Sequence, residues 1–366
     1  MKHTRWMTAA LCCACTLAVA SPAPAQIARL GAVGDSLTDE YSEETYAYAR
    51  NWTMQLVQFR GIDMGATAAG QPGGTWGEPR RTGYRSNWAR FGADSASAMS
   101  TGQHTGLAAQ MVPGAPDSVT HAVVAIGAND FSPQSSAYLN IYFNFWSPAT
   151  VDAYVNGRIA NVRAIVETLD TPAAGVMLCN YLDFGVVPAS RQVWGNANNR
   201  NRVTAVIARV NEGVEQIARD HRLVLVDLNR RATSIIGTNT ALKQFLVIGN
   251  VNIQLFNRDT AAHANPLAGF VDDGAHPHTT LQGVFANVMM TAMNTGWQAG
   301  YSMFSDAEIL GIAGIAYGGS DTLAAQVGPY SQYVRSYRCP ADFSGDGIIN
   351  TNDLLVLLGV FGEECP

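Results

Sequence analysis

Five short apolar runs rich in Val, Ile and Leu, separated by longer stretches of helical spacing, leave this chain few folds to choose from. The runs are residues 27–33, 61–65, 121–126, 175–182 and 223–228. Between and after them, residues 51–59, 105–112, 151–169, 200–219 and 279–295 place apolar side chains three and four apart, as one face of a helix requires. Strands that alternate with helices predict an α/β fold, a parallel sheet with crossover helices on its faces. In an open sheet of this kind the ligand crevice lies beyond the carboxyl ends of the strands. Two polar motifs fall there: Gly34-Asp35-Ser36 directly after the first strand, and Gly127-Ala128-Asn129-Asp130 directly after the third.

With 366 residues, 47% of them hydrophobic and 14% charged, the chain can bury a large core. Its first residues are set apart. Lys2, His3 and Arg5 precede an apolar stretch over 8–20, and Ala23-Pro24-Ala25 follows, which is the three-part pattern of a secretory signal with cleavage after Ala25. The expected product is exported, to the periplasm, the cell surface or the medium. The apolar stretch is shorter than the roughly 20 residues a bilayer span needs, so no transmembrane anchor is expected. Cys12, Cys13 and Cys15 follow no good small-residue lipobox and leave with the signal as filler of its apolar region. Loss of Lys2 and Arg5 takes the formal charge from −6 to −8, which disfavours nucleic acid as a partner.

A serine hydroxyl is a poor nucleophile at neutral pH and needs a general base together with a group that orients the base. Val271-Asp272-Asp273-Gly274-Ala275-His276-Pro277-His278 offers both. An Asp three residues before a His, across a Gly-containing turn, brings a carboxylate against the far nitrogen of the imidazole. That assigns Asp273 and His276 to Ser36, with Asp272 as the alternative if the turn is set one residue differently. The oxyanion of a tetrahedral intermediate needs donors, and the candidates are the Ser36 N–H, the Gly92 N–H and the side-chain amide of Asn129. Read alone, Ser36 serves equally as a helix cap and Asn129 as a turn residue. His276-Pro277-His278 also holds a His-x-His pair, but no further His or Cys cluster supports a metal site, and no catalytic cofactor is expected. The aromatic run Tyr138, Tyr142, Phe143, Phe145 and Trp146 is either packing or the lining of an acyl or sugar pocket. Residues 243–256 alternate enough for a small hairpin insertion.

These motifs, in this order, resemble the SGNH (GDSL) hydrolases. Gly34-Asp35-Ser36-Leu37 is similar to the first block of that family, Gly92 to the second, Gly127-Ala128-Asn129-Asp130 to the third and Asp273-Gly274-Ala275-His276-Pro277 to the fifth. The resemblance implies a flavodoxin-like three-layer α/β/α sandwich. It also implies Ser36 as nucleophile, His276 as base, Asp273 as its partner, and an oxyanion hole of Ser36, Gly92 and Asn129. The implied activity is hydrolysis of carboxylic esters without a metal, with acylated carbohydrate or short-chain esters as the expected substrates. Two other readings stand beside it: a lipase or phospholipase type of acylhydrolase, and an extracellular binding or scaffold protein whose α/β domain is catalytically silent.

The hydrolase domain is expected over residues 26–315. From 316 to 338 the chain is rich in Gly, Ser, Tyr and Gln with no period, which reads as a linker or as a strap against that domain. A small module follows over 339–366. Asp342, Ser344, Asp346, Asn350 and Asp353 stand at positions 1, 3, 5, 9 and 12 of a loop, with Gly347 at the sharp turn and Ile348 at position 7, the spacing of an EF-hand-like Ca²⁺ site. An apolar helix over 354–361 is expected next. The loop resembles one half of a type I dockerin repeat, and a cohesin-like or cell-surface protein is the partner this implies, although dockerins carry two repeats and this chain has one. Cys339 and Cys365 bracket the module, and an exported chain permits their disulfide, a staple contributing about 3 kcal/mol. Cys179 is left as a buried free thiol.

Overall fold

The computed structural model describes residues 27–115, 118–171, 175–259, 265–337, 349, 351–359 and 361. The proposed signal segment 1–25 lies outside the described residues. So do Asp342, Ser344, Asp346, Ile348 and Asn350 of the expected calcium loop, and both Cys339 and Cys365.

Four strands run parallel in the order of the sequence: β1 (Leu30–Gly34), β2 (His121–Ala125), β3 (Gly175–Cys179) and β4 (Val224–Val226). Leu30 pairs with His121, His121 with Gly175, and Met177 with Val224. Alternate side chains of a strand point to opposite faces, and both faces here are apolar. Leu30, Ala32, Val123, Ala125, Met177 and Val226 enter one core layer, covered by α1 (Trp52–Arg60) and a long C-terminal helix. Val33, Ala122, Val124, Val176, Leu178 and Leu225 enter the other, covered by α2 (Gln103–Gln110), α3 (Pro148–Leu169) and α4 (Ala197–Asp220). The long helix of the first layer is α5 (Thr279–Trp297), and it is buried on nearly every side. At about 1.5–3 kcal/mol for each fully buried aliphatic side chain, these two layers hold the sheet.

The helices begin where the sequence supplies caps. Ser147 accepts the N–H of Thr150 before α3, whose first residue is Pro148, and Asn196 accepts those of Asn198 and Asn199 before α4. On α4, Val203, Ile207, Val210, Val214 and Ile217 recur three and four apart and are all buried.

Residues 61–65, expected as a strand, form none. The outer edge of β1 is shared between two segments, so no continuous ladder can grow on it. Leu30 N–H donates to Asp63 O at 2.8 Å, but from Ala32 onward the partners are Ser86, Trp88 and Arg90. The segment 86–90 thereby replaces the expected strand at the end of β1 where Ser36 follows.

The hairpin expected over 243–256 is present as Phe245–Ile248 paired with Val251–Arg258, turning at Gly249 and Asn250, both with positive φ. Ala268–Phe270 joins it in parallel. Of the two readings of 316–338, the described residues 316–337 fit the strap rather than the linker. They carry the helix Leu323–Val327 and a strand, Val334–Ser336, that adds antiparallel to β4 as the edge of the main sheet. Leu323, Val327, Tyr333 and Val334 are buried in the first core layer, so burial binds this segment to the α/β body.

Cys179 is buried in β3 with a free thiol. Near the C-terminus the helix is Thr351–Gly359, beginning earlier than expected, with Asp353 buried and Leu354, Leu355 and Leu358 exposed. No helix among the described residues is long and apolar enough to cross a membrane.

Candidate active site

Ser36 stands in a tight turn at the carboxyl end of β1. Gly34 closes the strand where a Cβ would meet Ala125 O at 2.8 Å, so only glycine fits the approach of β1 to β2. Asp35 then folds the chain back on itself. Its carboxylate accepts the Leu37 N–H at 3.0 Å, and its carbonyl accepts those of Thr38 and Asp39 at 3.0 and 2.9 Å. The Ser36 side chain is thrown forward toward His276, whose Nε2 lies 2.6 Å from Ser36 Oγ.

The turn carrying His276 follows the small sheet directly. Val271 N–H donates to His276 O and Gly274 N–H to Val271 O, each at 3.0 Å, with Gly274 at φ 69°. Asp273 is held inside this turn. Its Oδ1 accepts the N–H groups of Ala275 at 2.8 Å and His276 at 3.0 Å, and its Oδ2 faces His276 Nδ1. Burial alone would raise the Asp273 pKa, but these bonds and the imidazole outweigh it and pull the carboxyl down to about 2. Asp272, the alternative, is exposed, and its N–H donates to the Tyr48 hydroxyl at 3.1 Å.

Tyr46 completes this side, and sequence reading missed it. Its hydroxyl donates to Asp273 Oδ2 at 2.9 Å across 227 positions of sequence, and its ring lies 5.0 Å from the His276 ring. Phe91 stacks on the same imidazole at 5.8 Å. The only sequence signal for either is an aromatic residue in a loop, which is too common to single them out.

The loop with Gly92 is pinned to β1. Trp88 N–H donates to Ala32 O, Arg90 N–H to Gly34 O and Phe91 N–H to Asp39 Oδ2. Gly92 follows at φ 75° in an exposed turn. Asn129 lies in a short helix, Ala128–Phe131, and its Nδ2 donates to Ala93 O at 3.0 Å. This bond ties the Gly92 loop to the end of β2. Among the described residues the N–H groups of Ser36 and Gly92 have no protein acceptor, and one hydrogen on Asn129 Nδ2 is left over. Three donors of these residues are thus uncommitted.

Asp130 anchors Asn129 from below. It is buried and accepts bonds from Ser95 N–H, Ser95 Oγ, Arg158 Nη1 and the Tyr181 hydroxyl. Gly127 sits at φ 121°, and a Cβ there would strike the Tyr181 ring at 2.2 Å.

His278 does not join His276 at a shared ion. It caps α5, accepting the Thr279 N–H at 2.8 Å on Nδ1, and turns Nε2 to Asp259. Among the described residues, the carboxylates of Asp39, Glu40 and Glu43 lie within 4.8 Å of one another, close enough to share a cation. Of the aromatic run, Tyr138 and Tyr142 are buried, while Phe143 and Phe145 stack at 5.3 Å and are exposed.

A hydroxyl bonded to an imidazole, with that imidazole bonded to a carboxylate of depressed pKa, can carry out acyl transfer where N–H donors receive the oxyanion. The sequence pattern of GDSL-like lipases and acylhydrolases matches residues 30–289. No curated protein matches the chain. Among solved structures, an acetylxylan esterase from Geobacillus stearothermophilus is 13% identical, with 75% of this chain and 98% of that one covered and a TM-score of 0.41. An extracellular lipase from Streptomyces rimosus is 16% identical, covering 72% and 99% with a TM-score of 0.36. A phospholipase A1 from Streptomyces albidoflavus NA297 is 17% identical, covering 57% and 82% with a TM-score of 0.35.

Proposed function

The chain belongs to the GDSL-like lipase/acylhydrolase family and is a carboxylic ester hydrolase, and from that premise we propose that Ser36, His276 and Asp273 are its catalytic triad. The observation that carries this reading is the continuous relay from Ser36 Oγ through both nitrogens of His276 to Asp273. Ser36 Oγ attacks the ester carbonyl as His276 Nε2 takes its proton. The tetrahedral oxyanion is received by the N–H groups of Ser36 and Gly92 and the amide of Asn129. The C–O bond to the alcohol breaks, and His276 returns the proton to the departing oxygen. Water, deprotonated by the same nitrogen, then attacks the acyl-Ser36 ester and releases the acid. Asp273 keeps the imidazole in register and favours its protonated form during both attacks.

The substrates we propose are short-chain esters, including acyl groups on carbohydrate. An acyl group on carbohydrate is supported by the dockerin-like ligand spacing over 342–353. Substituting Ser36→Ala and measuring p-nitrophenyl acetate hydrolysis tests the triad. The expected loss is about 10³-fold or more, and undiminished turnover in a folded variant would remove Ser36 from the mechanism. Activity on a panel of acetylated polysaccharides, compared with p-nitrophenyl esters of increasing chain length, tests the substrate class. If only long-chain esters turn over, the lipase reading takes its place.

Export after cleavage at Ala25 remains part of the proposal, supported by the three-part pattern of residues 1–25. An exported product whose first residue is not Gln26 would overturn it. A Ca²⁺-binding, dockerin-like module over 339–366, closed by Cys339 and Cys365, is supported by its ligand spacing. Calorimetry with Ca²⁺ on the full chain and on the Asp346→Ala variant tests it, heat of binding being expected only for the former.

A further inference from the structure

Beside Ser36 and His276 lies a narrow cleft of about 40 Å³, and Leu37, Ala275 and Pro277, the chain neighbours of those two residues, form part of its wall. Phe184, Ile235 and Phe270 make other parts apolar, but Arg231 also lines it. Arg231 projects from the helix Leu228–Ile236 and is only 8% exposed. The single hydrogen bond of its side chain among the described residues runs from Nη2 to Leu281 O at 2.8 Å. Nε is buried without a partner, and the guanidinium rests on the Phe285 ring at 4.9 Å. No carboxylate of the described residues pairs with it. Asp183, the acidic residue in the same wall, spends Oδ1 on the Gly185 N–H and Oδ2 on the Thr204 hydroxyl.

A charge buried among apolar groups without a counter-ion is costly, so proteins keep such an arrangement rarely and usually pair it. Burial pulls even this guanidinium down to about 10. A carboxylate supplied from outside would match its planar fork in shape and charge. Apolar walls beside the nucleophile suit the chain that joins that carboxylate to the reacting ester.

We propose that this cleft is an acyl pocket whose Arg231 binds a carboxylate, so that the preferred acyl group is a short aliphatic chain ending in a carboxylate, the half-ester of a dicarboxylic acid. The inference rests on the esterase reading and adds the acyl class to it.

Its test compares 4-nitrophenyl hydrogen glutarate with 4-nitrophenyl pentanoate, two acyl groups of equal carbon number that differ in the terminal carboxylate. The native enzyme is expected to favour the glutarate by about tenfold or more in kcat/KM. Arg231→Met should reverse that order, and Arg231→Lys should keep part of it. Equal use of both esters by the native enzyme overturns the proposal, as does a preference that survives in Arg231→Met. Ile235→Phe, which fills the cleft and leaves the guanidinium in place, should lower the turnover of both esters relative to p-nitrophenyl acetate; an unaltered chain-length profile also counts against the site. To separate this from the esterase reading, monomethyl glutarate is titrated calorimetrically into Ser36→Ala, with and without Arg231→Met. Binding that weakens tenfold or more with the second change supports the pocket whatever the hydrolytic result, and binding indifferent to it refutes the pocket. Ser36-dependent cleavage of p-nitrophenyl acetate is judged independently.

Discussion

Two sets of carboxylates stand close to Ser36, both partly or wholly buried, and they titrate in opposite directions. Asp273 is held near 2, whereas Asp39, Glu40, Glu43 and Glu44, just after the nucleophile turn, are pushed up to about 6, 8, 7 and 9. Burial raises every one of them. The difference lies in donors and neighbours. Asp273 receives two backbone N–H groups, a tyrosine hydroxyl and an imidazole. Glu44 has both carboxylate oxygens buried without a hydrogen-bond partner among the described residues and feels the charges of Asp39 and Asp35. Nearness to Ser36 in the chain therefore does not make a carboxylate a partner to His276; donors that stabilise the charged form do.

The largest effect is expected where the charge of Asp273 is removed. Asp273→Asn keeps the shape of the side chain but presents an amide to His276 Nδ1, which no longer favours the protonated imidazole. A fall of about 10⁴-fold in kcat on p-nitrophenyl acetate is expected. Asp272→Asn, the adjacent exposed acid, should change it little. If the two variants fall equally, Asp273 is not the acid that holds His276.

The same contrast predicts how stability responds to pH. For Asp39, Glu40, Glu43 and Glu44 the folded pKa lies above the unfolded value of about 4, so the folded state binds more protons. Their contribution is fully present below about pH 4 and is lost as pH rises through about 6 to 9. Asp273 works in reverse: its contribution is present above about pH 4 and lost as pH falls through about 2. The melting temperature should accordingly rise as the pH is lowered from about 9 to about 5. Glu44→Gln, which imitates the protonated acid, should raise it at pH 9 by roughly 2 °C or more and flatten the upper part of the profile. A melting temperature that climbs from pH 5 to 9 would mean that these acids are charged and paired.

What could be read in the sequence follows the range of the interactions involved. Asp273 and His276 share one turn, and Ser36 and Asn129 each follow a strand directly, so a few adjacent residues define where they stand. Phe245–Ile248 and Val251–Arg258 were legible for the same reason, being neighbours in the chain. Val334–Ser336 was not, because a three-residue strand in a Gly- and Ser-rich segment shows no period and exists only by pairing with β4, about 110 residues earlier. Residues 61–65 failed in the opposite way. Their composition suits a strand, but residues 86–90 occupy the edge they would need. Arg231 and Tyr46 belong with Val334–Ser336: one stands out only once no carboxylate of the described residues is found paired with it, and the other only once 227 positions are folded together.

Tyr46 gives the smallest predicted effect and the finest test of the donor argument. Burial, reinforced by the Asp273 charge, raises its pKa, so the hydroxyl keeps its proton and remains a donor across the working pH range. Tyr46→Phe removes that one bond to Asp273 Oδ2 and leaves the ring beside His276. Ala275 N–H, His276 N–H and His276 Nδ1 still hold the carboxylate. A net bond worth about 1 kcal/mol corresponds to roughly a fivefold fall in kcat on p-nitrophenyl acetate. KM should stay unchanged, because the hydroxyl bonds Asp273 rather than substrate. Tyr46→Ala should fall further, by whatever the ring contributes to holding the imidazole. Equal losses in the two variants would assign the whole effect to the hydroxyl. No loss in Tyr46→Phe would show that the three remaining donors already saturate Asp273, and that the fourth adds stability without adding rate.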